Sequence, residues 1–333
     1  MLVEGVGRRA AEGSDTQANS GAESAADSAV DASVPAAITD TGCERELNED
    51  RYAVIESDSG LAWVVCDGMG GAMGGELAAQ LAIDAIRRDL ENLPGRSPAA
   101  AIKGALLEAN RIIVLRRQNP AFSGMGTTVV TAMFQGSDVA IAHAGDSRAY
   151  LIRDGAIQQL TTDHTYVQDL VDKGKINIDD ALSHPQAHVL TRCIGSEPGL
   201  EIDLDKYWVW PLNGQEPQDF LLLCSDGLYS LVREGEMADI VTQHTPQRAC
   251  VSLVELAKSR GGFDNVTVAI IPLAGQLRTE PPPGYEATSS RTVRAAAKPA
   301  GRGNPLVRVA IIVAVSVVVA LGTVFGSLLL LSR

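Results

Sequence analysis

Four aspartates stand where apolar stretches of this chain begin or end. Leu61-Ala62-Trp63-Val64-Val65-Cys66 runs into Asp67-Gly68-Met69-Gly70-Gly71, and Asp219-Phe220-Leu221-Leu222-Leu223-Cys224-Ser225 runs into Asp226-Gly227. Ile141-Ala142-His143-Ala144-Gly145 leads to Asp146, and Asp264-Asn265 opens another run at Val266. A carboxylate at the end of a buried segment costs free energy unless something pairs with it. No excess of lysine or arginine stands beside these four, so the implied partner is a hard cation held by oxygen ligands. Glycines after Asp67 and Asp226 let backbone come close to a bound group. A single Asp-Gly reads equally well as a tight hairpin. The repetition favours a metal site.

The elements that must carry these carboxylates follow from hydrophobic spacing. The apolar runs have strand length and strand-favouring residues. Tyr52-Ala53-Val54-Ile55 reads as a strand after the polar cluster Arg45-Glu46-Leu47-Asn48-Glu49-Asp50. Helical spacing spans Glu76 to Leu93, and a second helix starts at Ser97-Pro98 and stops before Asn119-Pro120. Strands at 127–134, 138–144 and 148–153, the last turning at Asp154-Gly155, form an antiparallel meander. Residues 161–195 are more polar and read as a flap over the sheet edge, with short helices at Tyr166–Lys173 and Asp179–Leu182. After the strand at 219–224 come helices near 236–243 and 247–260 and a last strand at 266–271.

The whole chain sets bounds on function. It has 333 residues, with 41 acidic against 28 basic, for a net charge of −13. Such a balance argues against nucleic-acid binding, which draws on positive charge. The five cysteines are scattered without a Cys-x-x-Cys pair, as in a reducing compartment.

Composition divides the chain into four parts. Residues 1–37 are rich in Ala, Ser and Gly and are expected to be disordered, and residues 38–273 have globular composition. Residues 274–308 read as a basic linker containing Pro281-Pro282-Pro283, and residues 309–331 carry no charge at all. A bilayer needs about 20 such residues, so this last run reads as one transmembrane helix. Arg291, Arg294, Lys298, Arg302 and Arg308 precede it, which keeps the globular part cytoplasmic as a tail-anchored, single-pass membrane protein.

Taken in order, Arg45-x-x-Asn48-Glu49-Asp50, Asp67-Gly68-Met69-Gly70-Gly71, Gly124-Met125-Gly126-Thr127-Thr128, Gly145-Asp146-Ser147-Arg148, Leu160-Thr161-Thr162-Asp163-His164, Thr191-Arg192-Cys193-Ile194-Gly195, Ser225-Asp226-Gly227-Leu228 and Asp264-Asn265-Val266-Thr267 form a series. It closely resembles the prokaryotic branch of the metal-dependent serine/threonine protein phosphatases, the PPM or protein phosphatase 2C family. The resemblance covers residues 38 to about 273. It implies an α+β fold, a four-layer α/β/β/α sandwich of two packed antiparallel sheets flanked by helix pairs. It also implies a monomeric catalytic domain that hydrolyses phosphoserine and phosphothreonine in proteins phosphorylated by a serine/threonine kinase.

The same resemblance implies the site. Asp67 would bridge two Mn²⁺ or Mg²⁺ ions, with the Gly68 carbonyl on one and Asp226 and Asp264 on the other. Asp50 and Glu49 would reach the pair through water, and Asp146 with Asp226 would hold a weaker third ion. Arg45 would grip the substrate phosphate, its planar fork matching two oxygens. Met69 stands where animal members carry a histidine, so the leaving alkoxide has no assigned acid. His164 and His188 are read first as parts of the flap and only second as that acid, and Arg192 as structural.

Two other classes compete. Gly145-Asp146-Ser147-Arg148-Ala149 approaches a serine-hydrolase elbow, but Ser147 leads into a strand rather than a helix. A catalytically inactive, membrane-tethered binding module of the same fold would have to lack a metal aspartate, and Asp67, Asp226 and Asp264 are all present. No Gly-Lys-Ser/Thr occurs for a nucleotide loop.

Overall fold

The computed structural model describes residues 33–70, 74–181, 183–211, 219–282 and 285. In chain order, β1 is Ala36–Asp40, β2 Asp50–Ser57 and β3 Gly60–Met69, followed by α1 (Gly74–Asn92) and α2 (Pro98–Arg116). Next come β4 (Gly126–Thr127), β5 (Val129–Gln135), β6 (Asp138–Ala144), β7 (Arg148–Arg153) and β8 (Ala156–Gln159). The flap contains α3 (Tyr166–Asp172) and α4 (Ile178–Ala181) and gives way to β9 (Asp203–Pro211). The chain continues through β10 (Asp219–Cys224), α5 (Asp226–Tyr229), α6 (Glu234–Gln243), α7 (Pro246–Ser259), β11 (Val266–Leu273) and β12 (Gly275–Arg278).

Two sheets form, both antiparallel throughout. One has the order β1-β11-β10-β7-β8; the other has the order β12-β9-β6-β5-β3-β2, with β4 added beside β3. Strand alternation explains how they stack. Along β3, Val64 and Cys66 pack toward α1 and α2, whereas Trp63 and Val65 pack into the space between the sheets. Along β10, Leu221 and Leu223 face that same space, whereas Leu222 and Cys224 face α5, α6 and α7. The central strands β3, β5, β6, β10 and β11 are therefore buried on both faces, which is why they read as unbroken apolar runs rather than alternating ones. Each fully buried Leu or Ile contributes about 2 kcal/mol. Three packed interfaces make four layers, as the family resemblance implies.

Local chemistry sets the ends of elements. Asp154 at φ 51° and Gly155 at φ 77° make the tight β7–β8 turn. Thr245 caps α7 by accepting from the Arg248 N–H, and Pro246 occupies the first turn. At α2 the proline is in place, but the Ser97 side chain makes no cap bond.

Three expectations shift. The first strand begins at Ala36, two residues before the expected start of globular structure, and pairs with β11. The expected linker from residue 274 contains β12, which pairs Gly275–Arg278 with β9. Strand β9 itself lies in a stretch that the hydrophobic pattern left unassigned. The expected transmembrane helix at 309–331 and most of the expected disordered segment at 1–37 lie outside the described residues. Among the described residues no helix is long and apolar enough to cross a membrane.

Candidate active site

The carboxylates meet because the strands that carry them end on the same side of the sandwich. Register places Asp50, at the start of β2, directly opposite Asp67 near the end of β3. On the other sheet, Cys224 at the end of β10 faces Val268 near the start of β11, which brings Asp226 beside Asp264. Asp146 follows β6 at the neighbouring strand end. An open cleft of about 490 Å³ lies between these ends, lined by Arg45, Glu49, Asp67, Gly68, Asp146, Asp226 and Asp264, with His188 at its side.

Asp50 sits behind the cleft wall and is buried. Its Oδ2 accepts hydrogen bonds from Ser225 Oγ and Thr267 Oγ1, both at 2.7 Å. Asp50 Oδ1 and Asp226 Oδ1 are buried and have no partner among the described residues. Burial pushes the Asp50 carboxyl up to about 7, with the two hydroxyls pulling against it and Asp226 and Asp264 adding repulsion. Burial and the charge of Asp226 push Asp146 up to about 8. Asp67 is raised well above the usual carboxylate range by burial and then by Asp50, Asp226, Asp146 and Asp264. Asp264 is raised by burial and Asp226, with Arg45 opposing. Negative charge so concentrated needs more compensation than Arg45 and His188 supply among the described residues. An all-oxygen donor set with two orphaned buried oxygens fits divalent hard cations such as Mn²⁺ and Mg²⁺.

Two glycines show why Asp-Gly here is not a hairpin turn. A Cβ on Gly68 would lie 2.1 Å from the Gly75 carbonyl oxygen, and one on Gly227 would lie 2.0 Å from that of Asn265. Both positions are close backbone crossings that only glycine allows. Arg45 Nη2 lies 2.9 Å from Asp264 Oδ2 and is half exposed at the cleft rim.

The two flap histidines have different surroundings. His188 is exposed at the cleft wall, with Nδ1 3.4 Å from Asp226 Oδ2, and that carboxylate raises its pKa. His164 is buried; its Nδ1 accepts from the Gly145 N–H at 3.2 Å and its Nε2 lies 3.2 Å from Asp203 Oδ2. Burial and the neighbouring His143 push it down to about 4. The rings of His143 and His164 stack at 4.5 Å, 21° apart. Stacked rings direct their lone pairs along nearly parallel planes, so His143, His164 and Asp203 form a latch at the flap's base rather than a metal site. Arg192 belongs to it, with Nη1 2.7 Å from Asp203 Oδ1.

Several residues that hold the cleft were not singled out from the sequence. Asn265 ties the Arg45–Asp50 loop down: its Nδ2 donates to the carbonyls of Thr41 and Leu47 at 2.9 and 3.0 Å, and its Oδ1 accepts from the Glu49 N–H at 2.8 Å. Thr128 Oγ1 accepts from the Asp67 N–H and pairs with Ser147 Oγ at 2.6 Å. The Tyr229 hydroxyl donates to the Asp146 carbonyl at 3.0 Å. The available signal was small polar residues inside apolar runs, adjacent to or one turn from a metal-type carboxylate. Cys66, next to Asp67, is buried and its thiol is pushed up, so it is no nucleophile.

Residues 43–252 match the protein phosphatase 2C family. The chain belongs to that family. Its similarity to the serine/threonine phosphatase stp of Listeria monocytogenes serovar 1/2a reaches 37% identity over 240 residues, covering 70% of this chain and 93% of the relative. The crystal structure of the Mycobacterium tuberculosis serine/threonine phosphatase PstP/Ppp is 36% identical, with a TM-score of 0.63 over 72% of this chain and 98% of that one. The catalytic domain of PstP in complex with two manganese ions aligns with a TM-score of 0.60 at 33% identity, over 71% of this chain and 96% of that one. This protein phosphatase 2C relative is thus an enzyme, a protein-serine/threonine phosphatase of the metal-dependent class, whose members act with two Mn²⁺ or Mg²⁺ ions.

Proposed function

We propose that this chain hydrolyses phosphoserine and phosphothreonine in proteins at the cleft lined by Asp67, Asp146, Asp226 and Asp264. Asp67, the Gly68 carbonyl, Asp226 and Asp264 would hold the two ions, Asp50 and Glu49 would reach them through water, and Asp146 with Asp226 would take a weaker third. When bound, the ions supply an activated water and positive charge against the phosphate oxygens. The remaining work falls to the chain. Arg45, half exposed at the rim, is free to turn from Asp264 toward a phosphate and bind two oxygens with its planar fork. Leu47 and Leu190, on the cleft wall, present apolar surface to the substrate chain. Met69 itself has no proton to give the leaving alkoxide; among the described residues lining the cleft, the imidazole is that of His188, beside Asp226.

The observation that carries the reading is the convergence of these carboxylates on one cleft, with buried oxygens of Asp226 and of Asp50 behind it unpartnered among the described residues. Hydrolysis of a phosphothreonine peptide with added Mn²⁺ tests it. Wild type should turn over and Asp67→Asn should not, and an active Asp67→Asn enzyme would refute the assignment.

The uncharged run at 309–331 supports a further part of this proposal: the domain acts at the cytoplasmic face of a membrane on proteins phosphorylated by a serine/threonine kinase. Fractionation decides it. The full chain should pellet with membranes and resist carbonate extraction; recovery in the soluble fraction would remove the anchor from the account.

A further inference from the structure

A second cavity, of about 300 Å³, lies between the flap and the surface formed by β7, α5 and α6. His188 lines both this cavity and the active cleft, so the two adjoin. Its flap side carries an apolar strip, Val167, Ala181 and Ala187, which are buried, and Ile178, which is 60% exposed, beside the polar Thr165, Gln168 and His188. The opposite side is polar.

The charges on that side do not cancel. Arg148 is fully engaged: Nε and Nη2 donate to Asp163 at 2.9 and 2.7 Å, Nη1 donates to the Tyr150 hydroxyl at 2.8 Å, and the guanidinium lies 3.6 Å over the Tyr229 ring. Asp163 is correspondingly neutralised. Glu234, in the first turn of α6, also lines the cavity. It is exposed and has no hydrogen bond or ion pair among the described residues. The cavity therefore offers an apolar strip between polar walls and one carboxylate, Glu234, without an ion-pair partner among the described residues.

We propose that this cavity is a subsite for a lysine or arginine side chain of the phosphoprotein, a few residues from the phosphorylated one. Resting on the phosphatase reading above, it adds a preference among substrates. The long aliphatic stem of such a residue lies along Val167, Ala187 and Ile178, and its charged head reaches Glu234 in water. An acidic side chain meets Glu234 with like charge, and the two cationic groups of the lining are already engaged, Arg148 with Asp163 and His188 with Asp226. A short apolar side chain fits the walls but gains nothing from the carboxylate.

The test uses the full chain and phosphothreonine peptides in which a single lysine or its neutral counterpart, glutamine, moves through each position within about three residues of the phosphate. That range spans roughly 10 Å of extended peptide. At one position, lysine should raise kcat/KM about fivefold over glutamine, the strength of an exposed ion pair. Glu234→Gln should bring this ratio to within about twofold of unity, and Glu234→Lys should turn it in favour of a glutamate peptide. Turnover of p-nitrophenyl phosphate, which has no such side chain, should be unchanged in both variants. If wild type shows no lysine preference at any position, or Glu234→Gln keeps it, the subsite is refuted. Absence of p-nitrophenyl phosphate turnover in wild type would refute the phosphatase reading instead.

Discussion

Strand β10 has a buried aspartate at its start and a partly buried one just past its end, and the two have opposite fates. Asp219 is fully enclosed, and Arg153 satisfies it through Nε at 2.8 Å and Nη2 at 2.6 Å, with the Leu277 N–H adding a third bond at 2.6 Å. Asp226 faces the cleft, and its buried Oδ1 has no partner among the described residues. One carboxylate is neutralised by the chain and locks β7, β10 and β12 together. The other is left for something the chain does not contain. A buried carboxylate is structural where the fold supplies its cation, and functional where the fold withholds it.

The largest expected effect separates these two ends. Asp226→Asn should abolish Mn²⁺-dependent turnover while the fold keeps its stability, because the variant removes charge from a crowded site. Asp219→Ala should do the reverse, lowering stability by about 3 kcal/mol through an unpaired Arg153, with normal kcat for the protein that remains folded. Urea unfolding and steady-state kinetics on both variants check this. Lost activity in a stable Asp219→Ala protein would break the comparison.

The next effect is on pH. Asp50 and Asp146 have folded-state pKa values near 7 and 8, above the unfolded value of about 3.9. The folded state then holds its protons more tightly than the unfolded state. Stability from these groups is complete below about pH 4 and is lost as pH rises through 7 and 8. In chelator, the melting temperature should fall between about pH 5 and 8. Saturating Mn²⁺ should flatten that slope. A melting temperature that rises over this range in chelator would contradict the charge crowding.

The smallest expected effect comes from the hydroxyls that brace Asp50. Thr267→Ala should cost about 1–2 kcal/mol of stability and weaken Mn²⁺ binding about tenfold, whereas Thr267→Ser should restore binding. Equal Mn²⁺ affinity in Thr267→Ala would confine Thr267 to a packing role.

Much of this was legible before the structure. The apolar runs at 61–66 and 219–224 are strands buried on both faces, and Asp67 and Asp226, which follow them, reach the cleft where the sheets end. The difference between Asp219 and Asp226 was not legible. One opens the six-residue strand and the other closely follows it, and the partner that decides between them, Arg153, lies far away in sequence. Strand β9 escaped because its residues are half exposed and Asp203, Asp205 and Lys206 interrupt any alternation. Strand β1 escaped because its alanines carry no periodic signal within an alanine-rich stretch. Asn265 and Thr267 stood inside a recognised motif, yet their roles depend on contacts with Leu47, Glu49 and Asp50, more than two hundred residues earlier.

The central claim is that the cleft carboxylates hold ions that the reaction requires. It is tested most directly by counting Mn²⁺ bound per chain while following hydrolysis of a phosphothreonine peptide, in wild type and Asp226→Asn. The account predicts at least two tightly bound ions in wild type, activity that rises with their occupancy, and loss of both an ion and activity in the variant. Full turnover in wild type stripped of metal, or unchanged Mn²⁺ binding in Asp226→Asn, would contradict it.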